Sequence, residues 1–156
     1  MVRYFQYILL FSLSFVCFSC TKPVYYELYQ TIDSPWDKDK AYFFTCEIED
    51  ITVSYNISIH IRNNKLYPYQ NLWLLYKEVQ PEGIVVRDTI ACVLTDDYGK
   101  WLGSGISVYH LTIPIRHQYT FPRTGQYIFT IQQGMRDSKL KGIENIGLRI
   151  EKSVTQ

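Results

Sequence analysis

The chain of 156 residues is long enough for one folded domain, and its 20% charged and 47% hydrophobic residues are typical of a globular protein rather than a disordered one. Arg3 is the only charged residue among the first nineteen, so the remainder carries 15 basic and 15 acidic side chains and has no net charge. This neutrality excludes proteins that hold nucleic acid or an anionic membrane surface through a basic patch.

Residues 1–19 have the organisation of a secretory signal peptide. The basic Arg3 precedes an apolar run that is shorter than the roughly 20 residues needed to span a bilayer as a helix. The small Ser19 stands directly before Cys20, which resembles the bacterial lipobox, although Cys17 occupies the place where leucine is usual. The resemblance implies cleavage before Cys20 and lipidation of that cysteine; the alternative is an uncleaved amino-terminal helix.

The predicted lipid on Cys20 supplies the membrane attachment that a neutral chain lacks, because several acyl chains together give stable anchoring. The residue after the cysteine is Thr21. In the familiar sorting rule an aspartate there favours the inner membrane, so threonine indicates the outer one. No acidic run follows Cys20, unlike the lipoproteins that some bacteria export to the cell surface. The predicted location is therefore the outer membrane, with the domain facing the periplasm.

Residues 20–40 are predicted to form a lipid-anchored tether and a first strand, Val24–Tyr29, followed by a turn at Asp33–Trp36. Residues 41–156 are predicted to form the folded domain. Apolar and polar residues alternate through Thr52–Arg62, and a period of two indicates a half-buried strand. The predicted strands of the domain are Tyr42–Ile48, Thr52–Arg62, Leu72–Val79, Ile84–Thr95, Ile106–Ile115, Gly125–Gln133 and Ile146–Lys152.

These short strands are separated by turns rich in glycine, proline and aspartate, and the aromatic content of 16% also favours sheets. The sequence therefore predicts an all-β fold, a single β-sandwich or jelly-roll-like domain. One helix is predicted at Arg136–Ile143, and Gly142 limits it to one or two turns.

Several segments follow one another in a recognisable order: Tyr67–Trp73, Asp96–Gly105, Gly125–Tyr127, Gln132–Arg136 and Gly142–Lys152. Together they resemble the gliding-motility lipoprotein family GldH, and their order and spacing carry the resemblance more than any single motif. The resemblance implies an outer-membrane lipoprotein of the gliding apparatus, whose machinery overlaps with a protein-secretion system. It implies no catalytic residues and no cofactor.

No enzymatic site is predicted from the residues themselves. The Gly103-Ser104-Gly105 segment is too short for a nucleophile elbow, and no histidine has a His or Cys partner at metal-ligand spacing. His60 and His110 fall on polar positions of predicted strands and are expected on the solvated surface. The adjacent Asp96 and Asp97 are expected to point in different directions in a turn.

Cys46 and Cys92 remain after cleavage and lipidation, and both fall on the apolar faces of predicted strands. Two interpretations stay open: a disulfide in an oxidising periplasm, or two buried free thiols. A disulfide requires Cα atoms within about 7 Å, which a sequence does not reveal.

Possible partner-binding residues lie in two segments, Trp101-Leu102-Gly103-Ser104-Gly105 and Met135-Arg136. Exposed Trp101 beside the flexible Gly103 and Gly105 could anchor a partner, or the tryptophan could close one end of the sandwich. Met135 and Arg136 have the same two interpretations.

Thr89 lies in Asp88-Thr89-Ile90, which resembles a short acceptor sequence for periplasmic O-glycosylation. A three-residue pattern occurs often by chance, so an ordinary strand threonine is the alternative.

The leading functional hypothesis is a non-enzymatic scaffold, tethered by lipid on Cys20, that docks on envelope proteins of the gliding or associated secretion machinery. The alternative is a periplasmic lipoprotein that binds glycans or small ligands, since tyrosine and tryptophan rings can stack on sugars. A concave aromatic surface would favour the glycan hypothesis, and a convex patch would favour protein docking.

Overall fold

The computed structural model describes residues 24–153, which form two four-stranded antiparallel sheets around a common core, and a short two-stranded ribbon. The strands are β1 (Val24–Thr31), β2 (Trp36–Asp37), β3 (Ala41–Ile48), β4 (Tyr55–Asn64), β5 (Asn71–Val79), β6 (Val85–Val93), β7 (Val108–Tyr119), β8 (Gly125–Gln133), β9 (Lys139–Leu140) and β10 (Ile143–Lys152). A short 3₁₀ turn at Pro81–Gly83 joins β5 to β6, and residues 24–153 contain no α-helix.

The chain passes repeatedly between the two sheets. Sheet 1 has the order β1-β10-β4-β7, sheet 2 has the order β3-β8-β5-β6, and β2 pairs with β9 in the ribbon. This is the strand order of a jelly roll, in which eight long strands are arranged in two Greek keys. The all-β sandwich predicted from the alternating sequence is confirmed.

The core lies between the sheets and follows the alternation of the strands. In β3 the side chains of Tyr42, Phe44, Cys46 and Ile48 are all buried, while the residues between them are exposed. Facing them from sheet 1 are fully buried isoleucine and leucine side chains of β4 and β10. Burial of apolar surface at about 25 cal/mol per Å² is the main stabilising term of such a core.

The helix predicted at Arg136–Ile143 is wrong. Lys139 and Leu140 form β9 instead, where Leu140 lies opposite Trp36 of β2. Both of these side chains are buried, and Gly142 has φ +83°, in the left-handed region that stops a helix. A segment this short gains more from burying Leu140 against the sandwich than from its own helix propensity.

Several strand boundaries also differ from the prediction. β7 continues to Tyr119, past Pro114, which is tolerated because β7 is an edge strand of sheet 1. β6 ends at Val93, after which Thr95 forms an isolated bridge with Trp101. The signal peptide at residues 1–19, Cys20 and Thr21 lie outside the described residues. Within residues 24–153, no helix is long and apolar enough to span a bilayer.

Candidate docking surface

The outer face of sheet 2 carries the largest set of exposed apolar side chains on either sheet. Alternation turns every second residue of β3, β5 and β6 away from the core. Exposed large apolar side chains on this surface, called the apolar face below, are Phe43 (59% exposed), Trp73 (41%), Leu75 (42%), Val85 (40%) and Val93 (50%). Exposed large apolar side chains grouped on one face of a sheet favour an interaction site.

Cross-strand pairs continue the apolar face across β5 and β6. Trp73 lies opposite Ala91, and Leu75 lies opposite Thr89. The next pair on the same face is Lys77 opposite Arg87, so two cations stand side by side. Neither forms a salt bridge with any residue in the described range 24–153. Like charges directly opposite each other are destabilising unless an anion lies nearby.

Met135 and Arg136 border a groove of about 500 Å³ at the end of the apolar face, together with Tyr69, Trp73 and Asp137. Met135 itself is buried, and its Sδ accepts a hydrogen bond from the main-chain N–H of Trp73 at 3.3 Å. Arg136 is exposed, and the Tyr69 hydroxyl donates to Asp137 at 2.6 Å. The Met135 sulfur therefore holds the main chain of Trp73, while the Arg136 side chain is exposed at the groove.

Trp101, Gly103 and Gly105 lie together in a tight loop before β7. The Trp101 ring is half-buried and stacks on Tyr109 with the ring centroids 5.3 Å apart. A Cβ on Gly105, which has φ +141°, would lie 1.9 Å from the Val108 carbonyl oxygen, and one on Gly103 would lie 3.0 Å from the His110 backbone. These contacts give both glycines and the tryptophan a role in packing the loop; partner binding by them stays a prediction.

His60 and His110 lie at the centre of a polar network on the outer face of sheet 1, called the polar face below. His60 Nδ1 is 2.9 Å from both the Tyr29 hydroxyl and His110 Nε2, and His60 Nε2 is 3.1 Å from Ser58 Oγ. The expectation of a solvated surface is wrong for His60, which is only 5% exposed. Its side chain does point outward, as predicted, but Tyr29 and His110 cover it.

Charged side chains of neighbouring strands surround this network. The Tyr29 hydroxyl donates to Glu27 at 3.1 Å, and Arg149 forms salt bridges with Glu27 and Glu151. The Arg62 guanidinium lies over the Tyr29 ring, 5.0 Å from its centroid. The charged groups of the polar face thus find partners within the domain.

Burial is the main cause that lowers the pKa of His60 to about 4, and the neighbouring His110 is the second. Burial and the nearby Arg62 also lower the pKa of His110. Both imidazoles are therefore neutral at physiological pH, so one ring can donate and the other accept in their 2.9 Å contact. No group of three or more His, Cys, Asp or Glu side chains in residues 24–153 is arranged to hold a metal ion.

Cys46 and Cys92 are buried free thiols and do not form the disulfide that the sequence left open. Cys46 lies on β3 and Cys92 on β6, at opposite edges of sheet 2 with β8 and β5 between them. Three interstrand spacings of about 4.8 Å separate the two strands, well beyond the reach of a disulfide. Burial raises the pKa of each thiol to about 12, so both stay protonated.

Thr89 is exposed on the apolar face, beside a depression of about 370 Å³ that Leu75, Lys77 and Arg87 also border. The Thr89 side chain is therefore accessible to a modifying enzyme. Its glycosylation stays a prediction.

Together the described residues form an all-β jelly-roll domain with one internally paired polar face and one exposed apolar face. Residues 24–150 match the family described as GldH lipoprotein. The chain belongs to the GldH lipoprotein family. As a member, it is a membrane-anchored lipoprotein of the cell envelope in the context of gliding motility.

Two named relatives support the assignment. The chain is 35% identical over 155 residues to the gliding motility lipoprotein GldH homolog of Christiangramia forsetii, covering 94% of this chain and 95% of that protein. It is 30% identical over 142 residues to the gliding motility lipoprotein GldH of Flavobacterium johnsoniae, covering 86% and 88% of the two chains. Among solved structures, an arabinose-bound α-L-arabinofuranosidase, MgGH51, has a TM-score of 0.42 and 12% identity, over 83% of this chain and 20% of that one.

Proposed function

We propose that the protein is an outer-membrane lipoprotein, anchored through lipid on Cys20 and facing the periplasm, that serves as a non-enzymatic docking scaffold of the gliding machinery. Membership of the GldH family carries the proposal. The apolar face supports it, because a domain with a well-packed core still leaves Phe43, Trp73 and Leu75 exposed on one sheet.

The proposed partner is an envelope protein that covers the apolar face. Trp73 is favourable as an anchor because tryptophan is enriched among the few interface residues that dominate binding energy. The lipid anchor would hold the scaffold in the same membrane as its partner. This confinement raises the effective concentration of one for the other without any new contact. Moderate affinity at the apolar face is then sufficient for assembly.

Replacement of Trp73 and Leu75 by alanine should separate docking from folding. Loss of a central tryptophan anchor typically costs 2 kcal/mol or more, or about 30-fold in affinity. We expect Trp73→Ala and Leu75→Ala to abolish co-purification of motility or secretion components from the native envelope and to impair gliding.

Tyr98→Ala is the matched control, because Tyr98 is an aromatic side chain that is 95% exposed in the turn after Asp96 and is not a residue of the apolar face. It should leave co-purification and gliding unchanged. Equal recovery of partners with all three variants, at equal protein levels, would contradict docking through the apolar face.

The anchor is tested separately through Cys20 and Thr21. Cys20→Ala should prevent labelling with a lipid precursor and leave the protein soluble or unprocessed. Thr21→Asp should move the protein from the outer-membrane to the inner-membrane fraction. A labelled, membrane-bound Cys20→Ala protein would disprove the anchor, and surface protease digestion of intact cells would disprove the periplasmic orientation.

A glycan-binding function is the second candidate, and the groove beside Trp73 is the observation that favours it. Tyr69 and Trp73 provide rings for stacking, while Arg136 and Asp137 provide polar groups at the rim. Calorimetry with oligosaccharides released from the native envelope tests this function. Saturable binding that is lost in Trp73→Ala, together with intact protein co-purification, would favour the glycan over the protein partner.

A further inference from the structure

Strand β6 forms an edge of sheet 2, and its outward main chain pairs with no other strand of the described residues. It pairs with β5 over all nine residues without a register shift. The bonds from Gln80 N–H to the Ile84 carbonyl and from Leu94 N–H to the Gln70 carbonyl, both 2.8 Å, fix the phase of this ladder. In an antiparallel pair the main-chain groups alternate between the two sides. Even-numbered residues of β6 therefore bond to β5, and odd-numbered residues face away.

The outward N–H groups of Val85, Arg87, Ala91 and Val93 have no hydrogen-bond acceptor within residues 24–153. These groups, with the corresponding carbonyls, are called the free edge below. Thr89 N–H differs, because it donates to Asp88 Oδ1 at 2.8 Å. A regular, unprotected edge strand of this length is a template for pairing with another chain.

Two other edge strands, β3 of sheet 2 and β7 of sheet 1, are protected against pairing with another chain. At β3, the far edge of sheet 2, the Tyr25 hydroxyl donates to the Glu47 carbonyl at 2.8 Å and the Gln30 amide donates to the Phe43 carbonyl. At β7, Ser104 exchanges two main-chain hydrogen bonds with His110. Further along β7, Pro114 and two register shifts interrupt the ladder. Among the described residues, the Asp88 carboxylate that accepts from Thr89 N–H is the one such device on β6.

Charge restricts what can pair with β6. On the apolar face Arg87 lies opposite Lys77, and neither has a carboxylate partner in the described chain. The one acidic side chain of β6, Asp88, lies 3.6 Å from Arg116 of β7, in the other sheet. On either side of Arg87 the outward residues of β6 are Val85, Thr89, Ala91 and Val93, which are apolar or small.

We propose that the free edge of β6 accepts an extended segment of a partner protein as a ninth long strand, with an acidic side chain beside Arg87 and apolar side chains beside Val85, Ala91 and Val93. Main-chain hydrogen bonds supply the affinity of such strand addition, and alternate side chains supply its specificity. The inference rests on the proposed docking role and names the chemistry of the partner segment.

A second copy of this chain fits the edge less well. The outward side chains of β6 include no carboxylate, so pairing β6 with β6 would bring two Lys77–Arg87 pairs onto one continuous sheet face. Such an arrangement adds like charge where the isolated domain already lacks an anion. An acidic segment neutralises both cations instead.

A nine-residue peptide, acetyl-Val-Thr-Val-Thr-Thr-Ser-Glu-Thr-Val-amide, is the probe, since it places its glutamate beside Arg87 when it pairs antiparallel to β6. The lipidated full-length protein in detergent micelles is mixed with the peptide, and amide hydrogen exchange is measured. We expect slowed exchange at Val85, Arg87, Ala91 and Val93. A peptide with lysine in place of glutamate should bind several-fold more weakly.

Ala91→Pro and Ala91→Ser form the matched pair of variants. The Ala91 N–H faces the free edge, so proline removes a donor to the peptide without removing a bond to β5. Loss of that bond and the clash of the ring should weaken peptide binding about tenfold or more in Ala91→Pro. Ala91→Ser should bind like the native protein, and unchanged exchange in β3 and β8 confirms that both variants fold.

Arg87→Glu supplies an independent test, because it should reverse the preference so that the lysine peptide binds more tightly than the glutamate peptide. No protection of the free edge at about 1 mM peptide, the weak end of measurable affinity, would overturn the proposal. So would equal binding to Ala91→Pro, or a concentration-dependent dimer that Ala91→Pro abolishes. None of these results affects the tests of Cys20, Trp73 and Leu75, so failure of the strand-addition proposal and failure of the docking role remain distinguishable.

Discussion

The two outer faces of the sandwich differ in whether their side chains find partners inside the domain. On the polar face, His60 contacts Tyr29, Ser58 and His110, and Arg149 pairs with two carboxylates. On the apolar face, Phe43 is 59% exposed. Lys77 and Arg87 stand together there without an anion among the described residues. The first face therefore contributes to stability, whereas the second leaves apolar and cationic side chains exposed, as the proposed docking role requires.

The largest expected difference between the faces is in stability. His60→Ala removes a buried ring and leaves its polar neighbours without partners, so we expect the free energy of unfolding to fall by about 2–3 kcal/mol. Phe43→Ala on the apolar face should cost less than about 1 kcal/mol, because most of that ring is already exposed. Urea unfolding followed by circular dichroism measures both values, and an equal loss would contradict the division of roles.

The pH dependence of the free energy of unfolding gives a second test of the polar face. An unfolded histidine has a pKa of about 6.5, whereas His60 stays neutral in the fold down to about pH 4. As the pH falls through this interval, the unfolded state binds a proton that the folded state does not. We therefore expect a loss of about 1–3 kcal/mol of stability from this side chain between pH 6.5 and 4.

His60→Gln should reduce this pH dependence, because glutamine does not titrate. His117→Gln is the control, since His117 is exposed on β7 and lies outside the network. It should leave the free energy of unfolding at neutral pH unchanged. Parallel stability curves for the native protein and His60→Gln would show that the buried imidazole does not contribute.

The smallest expected effect on stability is at Thr89, which is exposed on the apolar face. If the Asp88-Thr89-Ile90 segment is a glycan acceptor, protein from the native host should show an added glycan by intact-mass measurement, and Thr89→Ala should remove it. The free energy of unfolding should change by less than about 0.5 kcal/mol. An unmodified native mass would end the glycosylation hypothesis.

The alternating pattern predicted most of the fold because it reports directly on which face of a strand is buried. β8 was predicted with the bounds that the structure has, Gly125–Gln133. The inward orientation of Cys46 and Cys92 also followed from the pattern. The distance between the two cysteines could not be predicted, because strand order within a sheet depends on long-range pairing that local periodicity does not encode.

On the two outer faces, too, alternation predicts the direction of a side chain but not its burial by distant residues. Alternation predicts that His60 points outward, but its burial depends on Tyr29, which lies 31 residues earlier in the chain. The apolar face did leave a signal in the sequence, since Leu72–Val79 is apolar at outward as well as inward positions through Trp73 and Leu75. The free edge of β6 left none, because main-chain exposure follows from the order β3-β8-β5-β6.

The position of β1 sets how far the domain can move from the membrane. The strand begins at Val24 and is bonded to β10. Only four peptide units separate Val24 from Cys20, the proposed lipid site, and they extend to at most about 14 Å. With the proposed lipid on Cys20, the domain stays at the surface of the lipid layer. With the proposed outer-membrane placement, its partners must come to that membrane, and any force on the domain would reach the lipid through β1 and this short connection.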